Sequence, residues 1–291
     1  MASIVSKILC EKCITHSVPD FLIPGLQYEV VTGSVAYGIA NEDSDWDIYG
    51  FTIPPQEIVF PHLAGEIEGF GRHKKRFEQF EEHHVEDKNK GRLYDITIFN
   101  IVKFFSLCCE GNPNMVDTLF VPENCVLYAT NIGKFVRENR RLFLHKGCFH
   151  KFKGYSFSQM HKMKLKQPEP GSNREELIKQ FGFDVKFATH VVRLLLEVEQ
   201  ILTEGDIDLQ RHREQLKAIR RGEWTEQQIE DFFAMKEKDL KHIYNTSTVI
   251  PYSPDEEKIK HLLLNCLTAH YEKGGKFPGD PTVRPIEETL A

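Results

Sequence analysis

The sequence predicts an α+β fold, a strand-rich core followed by a mainly helical lobe. Three observations carry this. Runs of strand composition at residues 28–32, 46–53 and 93–99 all fall before residue 100 and suit half-buried strands. From about residue 130 onward the apolar spacing lengthens to that of helices. A chain of 291 residues with 41% apolar content has enough core for two lobes, and the expected division is 1–130 for the core and 131–291 for the helical lobe.

Taken in order, residues 1–16 read as a short helix ahead of Pro19 and Pro24. A strand, a short helix and a second strand occupy 26–53, and Pro54-Pro55 ends that unit. Residues 56–92 are mixed, and their charged run 71–92 reads as a hairpin or mobile insertion. Its adjacent His83 and His84 point apart on either regular element, so exposure is expected of them and not metal binding. The strand at 93–99 sets Tyr94, Ile96 and Ile98 on one face and Asp95 with Thr97 on the other. A helix over 101–109 follows and stops at Gly111-Asn112-Pro113.

In the helical lobe, residues 184–202 are apolar nearly all round, and Gly205 closes that helix. Residues 209–244 form a charged helical stretch broken at Gly222 and restarted by Thr225 as an N-cap, with its charges on a solvated face. A last amphipathic helix spans 255–271, and the Gly- and Pro-rich tail beyond it is expected to fray.

The chemistry concentrates between Gly33 and Gly50, in GSVAYGIANEDSDWDIYG. Asp45 and Asp47 share one face of the second strand, with Trp46 on the other. Two carboxylates so close repel unless a cation lies between them, and hard divalent ions prefer oxygen ligands. Mg2+, or Mn2+ in its place, suits this pair, because such an ion completes its shell with substrate phosphates. The Gly33-Ser34 turn offers amides and a hydroxyl to those phosphates, and Gly33 is expected at positive φ. The plainer reading of the aspartates is a solvated turn, since Asn41-Glu42-Asp43-Ser44 before them is turn chemistry.

Gly-Ser followed at this distance by Asp-x-Asp, after a strand, resembles the signature of the DNA polymerase β superfamily of nucleotidyltransferases. The fuller GSxAYG…SDxDxxG resembles its RlaP-like branch, which is associated by name with RNA repair. The runs RLYDITIFNIVKFFSLCCEGNPNMVDTLF and DVKFATHVVRLLLEVEQILTEGDIDL extend the likeness over roughly residues 25–250. It implies a polymerase β-like mixed-sheet core with a C-terminal helical lobe. The implied activity moves a nucleoside monophosphate from a nucleoside triphosphate such as ATP to an acceptor hydroxyl, an RNA end among the candidates, and releases pyrophosphate. Asp45 and Asp47 would be its metal-binding catalytic residues. By the same resemblance, Asp95 is the third carboxylate, on the metal nearest the attacking hydroxyl. Its bland alternative is a strand-edge aspartate capping a loop.

Lys186, His190, Arg193 and Glu197 fall on one stripe of the 184–202 helix. They read either as an internal ion-pair ladder on Glu197 and Arg193 or as a row facing a cleft, and the resemblance favours ligand binding. Lys186 and Arg193 would then reach the triphosphate together with Gly33 and Ser34, with His190 beside them. Two other classes of function stay open: transfer to a small molecule or a protein, and a non-catalytic nucleotide-binding module. Three intact carboxylates count against the module.

The net charge of −6 argues against a basic nucleic-acid coat. Residues 139–168, however, hold no acid and eight cations: Arg140, Arg141, Lys146, Lys151, Lys153, Lys162, Lys164 and Lys166. They are interleaved with Phe149, Phe152, Tyr155 and Phe157. The tract suits a polynucleotide groove or a positive face that balances acidic neighbours or docks a triphosphate. Seven cysteines, with Cys108 and Cys109 adjacent, are expected as reduced thiols without a zinc site. With no 18-residue apolar run and no leader pattern, a cytoplasmic protein free of membrane contact is expected.

Overall fold

The computed structural model describes residues 3–11, 18–41, 44–61, 65–69, 71–72, 75–87, 91–165 and 168–272. In chain order the strands are β1 (Leu26–Val31), β2 (Trp46–Thr52), β3 (Gln79–Asp87), β4 (Arg92–Asn100) and β5 (Val126–Ala129). The helices before β5 are α1 (Ile4–Glu11), α2 (Gly33–Ala36), α3 (Gln56–Val59), α4 (Ile101–Cys109) and α5 (Pro113–Phe120). Those after it are α6 (Asn131–Glu138), α7 (Gly147–Leu165), α8 (Asn173–Phe181), α9 (Val185–Glu204), α10 (Arg213–Arg220), α11 (Glu226–Thr246) and α12 (Glu256–Tyr271). Among the described residues no helix is long and apolar enough to cross a membrane.

The strands form one mixed sheet in the order β3-β4-β2-β1-β5. β2 and β4 run parallel, and the other neighbours are antiparallel. At Gly50 a Cβ would stand 2.1 Å from the Tyr28 carbonyl oxygen, so only glycine lets β1 and β2 approach as they do. Alternation along the strands divides the sheet into two faces. On one, Ile48, Tyr94, Ile96 and Ile98 pack with Val5, Ile8 and Leu9 of α1. On the other, Tyr28, Phe51 and Phe99 pack with Phe104 of α4 and the core of the helical part. Asp95 shares the second face, as its position between Tyr94 and Ile96 requires.

Glu29 of β1 points to the α1 side and is fully buried. Its carboxylate accepts the Ile4 amide at 3.0 Å, the Val5 amide at 3.2 Å and the Ser3 hydroxyl. Those donors offset the cost of burying a carboxylate, and burial still raises its pKa. The rest of the expected N-terminal helix, residues 1–2 and 12–16, and the tail 273–291 lie outside the described residues.

Helix boundaries follow the capping chemistry in the sequence. Asn100 opens α4 by accepting the Val102 amide at 2.9 Å, and Asn112 opens α5 at the Asn114 amide, 3.1 Å away. Asp184 caps α9 through the Lys186 and Phe187 amides at 2.8 and 3.1 Å, and Gly205, at φ +65°, ends it. Thr225 and Gln228 form a reciprocal capping box at the start of α11.

The charged stretch 71–92 supplies the nine-residue edge strand β3, which pairs antiparallel with the following β4 from Asp87 opposite Arg92, the hairpin of the two expected alternatives. Edge strands tolerate such charge because one side of the ladder stays in water. The short β5 closes the opposite edge of the sheet with four half-buried residues, too few for a visible alternation.

Candidate active site

β1 ends one residue before the turn that builds the site. The Thr32 amide donates to the Asp47 carbonyl oxygen at 2.7 Å, and Gly33 follows at φ +61°. A Cβ on Gly33 would stand 2.1 Å from Asp47 Oδ2, so the bare backbone at this position is what lets the carboxylate lie against the turn. The register of β2 on β4 sets Asp47 directly opposite Asp95. Neighbouring strands are about 4.8 Å apart, so the two carboxylates stand side by side. Asp45 precedes β2 and is exposed. Trp46 turns the other way, edge-on to Tyr94 at 6.1 Å. Burial first, then the charges of Asp95 and Asp45, push the Asp47 carboxyl from 3.8 up to about 6, against a smaller downward pull from His83.

A cleft of about 510 Å3 opens beside this turn and is bounded by α8, α9 and α10. Gly33, Ser34, Asp45, Asp47, Lys186, His190 and Arg193, all anticipated from the sequence, line it. Asp95 does not; it lies on the far side of Asp47. The cleft therefore carries acids on one wall and bases on the other.

The basic wall also contains Lys217, Arg220 and Arg221, which the sequence reading assigns to a solvated surface. Lys217 pairs with Glu214 at 3.2 Å and Arg221 with Glu223 at 2.5 Å. Arg220 differs: its Nε is buried without a hydrogen-bond partner, and burial lowers its pKa. Burial, then Arg220 and Arg174, lower that of Lys186 as well. Burial, then Arg193, Arg220, Arg174 and Lys162, take His190 down to about 3, which favours its neutral form at pH 7.

Arg193 borders the cleft but is already engaged. Its Nη1 donates to Asp117 at 2.5 Å and to the two Glu197 oxygens at 3.0 and 2.8 Å, all three residues being buried. The guanidinium also stacks on the Tyr37 ring at 4.2 Å, and the Tyr37 hydroxyl donates to Asp117 at 2.8 Å. This is the ion-pair ladder, extended to the turn after α2. Arg193 is thereby anchored beside the Gly33-Ser34 turn, while its Nε is buried without a hydrogen-bond partner.

The histidines correct another expectation. His83 and His84 are exposed as anticipated, yet they do not point apart: Nδ1 of each lies 3.5 Å from Asp95 Oδ1. The same oxygen accepts the His84 amide at 2.8 Å. Cys10 and Cys13 are spaced as Cys-x-x-Cys, and both fall outside the side chains described.

The acid-free tract is largely balanced by acids from elsewhere in the fold. Lys151 pairs with Glu110 at 3.4 Å, Lys153 with Glu237 at 2.5 Å, Lys164 with Glu230 at 2.5 Å, and Arg141 with Asp206. Phe149 and Phe152 are buried, whereas Tyr155 and Phe157 face solvent. Lys166 lies outside the described residues. A positive face built to balance acidic neighbours therefore describes most of α7.

The carboxylates suit a hard divalent cation. Among the described residues no three His, Cys, Asp or Glu side chains converge as a ready cage. Mg2+ is usually held by one or two carboxylates completed by substrate phosphates, and the crowded Asp47, with its raised pKa and Asp95 beside it, is the kind of donor that such an ion relieves.

Comparison with known proteins bears on most of the chain. The family described as "RlaP: RNA repair pathway DNA polymerase beta family" matches residues 14–250. A solved structure of a nucleotidyltransferase-like protein from Exiguobacterium sibiricum is 9% identical, over 86% of this chain and 76% of its own, at a TM-score of 0.28. No protein with a curated description matches.

Proposed function

Since the chain belongs to the RlaP family of polymerase β-like nucleotidyltransferases, we propose that it transfers a nucleoside monophosphate from a nucleoside triphosphate to an RNA end, releasing pyrophosphate. The single observation that carries the reading is the cleft lined by Asp45 and Asp47 on one side and by Lys186 and the unpartnered Nε of Arg220 on the other, with Asp95 in register beside Asp47. The RNA acceptor rests on the family's description; the cleft itself supports the nucleotide.

On this reading residues 1–130 are the catalytic core and 131–291 the lobe that supplies the basic wall. Lys186 and Arg220 hold the phosphate tail, with Lys217 and Arg221 at the rim, because an anion offers a counter-charge to the half-buried Lys186 and a partner to the buried Arg220 Nε. The Gly33-Ser34 turn keeps the reacting phosphate close to Asp47. Asp45 and Asp47 are the ligands for the cation that accompanies the triphosphate, and Asp95 is the carboxylate next to the attacking hydroxyl. A bound Mg2+ or Mn2+ would supply charge neutralisation and acidify that hydroxyl. The acceptor oxygen attacks the α-phosphorus, the bond to the β-phosphate bridge breaks, and Asp95 is placed to take the hydroxyl proton.

The test is a panel. The protein is incubated with each α-labelled triphosphate, Mg2+ or Mn2+, and RNA, DNA, protein and small-molecule acceptors. Label on RNA that is lost in Asp47→Asn supports the proposal. Label on a protein or small molecule instead keeps the transferase and overturns the acceptor, and binding without any transfer supports a non-catalytic module.

A further inference from the structure

Phe80 and Val85 lie five residues apart, an odd spacing that regular alternation would send to opposite faces of the sheet. Both are buried in the same core, with Ile96 and Ile98. One extra residue must be absorbed between them. The pairing passes from Glu82 opposite Ile96 to Val85 opposite Tyr94, so His83 and His84 together face Asp95. This is a β-bulge, a feature that re-aims side chains and concentrates near active sites. His84 takes φ +56°, the one non-glycine among the described residues in the left-handed region. A side chain with a Cβ is strained there, and such strain gathers at functional positions.

The bulge acts on Asp95. The His84 amide donates to Asp95 Oδ1 at 2.8 Å, and the two imidazoles approach that same oxygen at 3.5 Å. Both rings remain open to solvent, with 61% and 78% of their side-chain surfaces exposed. Asp47 lies between Asp95 and the cleft, so the bulge sits on the side away from the bases that face the phosphate tail.

We propose that the His83–His84 bulge is the acceptor clamp of this site, an inference that rests on the transferase reading above. The His84 amide positions Asp95, holding one of its oxygens so that the carboxylate keeps a single orientation beside Asp47. The two imidazoles contact the hydroxyl-bearing end of the RNA acceptor. An edge strand suits such a clamp because its outer side is unpaired, and a bulge there reshapes the entrance without breaking the sheet.

Three variants separate the parts, two in single- and multiple-turnover assays with Mg2+, triphosphate and a 5′-labelled RNA oligonucleotide with a free 3′ end, and the third by amide resonances. Deleting His84 closes the bulge and removes the amide from Asp95. Turnover should fall about 100-fold, the cost of a reacting group misplaced by about 1 Å, while triphosphate affinity holds. The double variant His83→Ala with His84→Gly keeps the amide and eases the left-handed turn but removes both rings. The acceptor KM should rise about tenfold, one hydrogen bond's worth, with a smaller change in kcat. Asp95→Ala should shift the His84 amide resonance in 15N-labelled protein and speed its hydrogen exchange. Full turnover in the deletion, an unchanged acceptor KM in the double variant, or an unmoved His84 amide would each overturn the clamp. If wild type transfers nothing, the transferase reading has failed on its own. The clamp is then judged by the amide resonance and by anisotropy of the same oligonucleotide, whose binding the double variant must weaken.

Discussion

Replacing Asp47 with Asn should make the metal-free protein more stable, and the pH profile of that gain is set by the crowding of the carboxylates. In the folded protein burial, Asp95 and Asp45 raise the Asp47 pKa from 3.8 to about 6. For an acid whose folded pKa is raised, the ionised form is the disfavoured one. Stability is therefore lost as pH climbs from the unfolded value toward the folded one, and the whole penalty is in place above about pH 6. The shift corresponds to about 3 kcal/mol at pH 8 and about half that at pH 5. Solvent screening at a partly exposed site takes these to about 1.5 and 0.8 kcal/mol. Asn removes the charge at nearly constant volume, so the melting temperature at pH 8 in EDTA should rise by about 3 °C, at roughly 2 °C per kcal/mol for a chain of this size. The gain should be smaller at pH 5. Adding Mg2+ and a non-hydrolysable triphosphate should then stabilise wild type but not the variant, which reverses their order. Calorimetric scans at the two pH values with and without the ligand check both halves. A variant that melts at or below wild type in EDTA at pH 8 would refute the crowding argument. An equal response to Mg2+ and triphosphate would refute the metal assignment.

Gly33→Ala should cost about 1–3 kcal/mol for its left-handed backbone and displace the Asp47 carboxylate, which stands where the new Cβ would fall; a lower melting point with no stabilisation by Mg2+ and triphosphate checks it. Arg220→Met should leave the metal-free fold intact and weaken triphosphate binding by about 10- to 100-fold, the loss of one charge-assisted hydrogen bond, as read by titration calorimetry. Arg193→Met strands Asp117 and Glu197 and should cost about 3–5 kcal/mol in denaturant unfolding. Lys186→Met should instead leave unfolding nearly unchanged and lower triphosphate affinity.

Much of this site is legible in the sequence because its chemistry lies in short local patterns. Asp45, Trp46 and Asp47 need only strand alternation to be sorted between faces, and Gly33 and Gly205 need only the rule that left-handed turns take glycine. The α9 stripe is visible too, but not its purpose. Asp117, which claims Arg193 together with Glu197, is 76 residues away in the chain, and no periodicity reports such a partner. The same limit applies to α7, whose lysines look like a polynucleotide surface until Glu110, Glu230 and Glu237 arrive from other elements. Arg220 reads as surface because α10 is amphipathic and only tertiary packing shows which part of its polar side faces the cleft. The bulge has a signal, the odd spacing of Phe80 and Val85, which is plain only once both are known to be buried on one face.

The central claim is that a triphosphate lies in the cleft with its α-phosphorus toward Asp47 and its tail on Lys186 and Arg220. The most direct measurement is a single-turnover reaction run in parallel with α-labelled and γ-labelled triphosphate and an RNA acceptor. The account predicts that α-label becomes joined to the RNA while γ-label leaves as pyrophosphate, with both lost together in Asp47→Asn. Transfer of γ-label to the acceptor, or release of γ-label as inorganic phosphate with no α-label transferred, would contradict it.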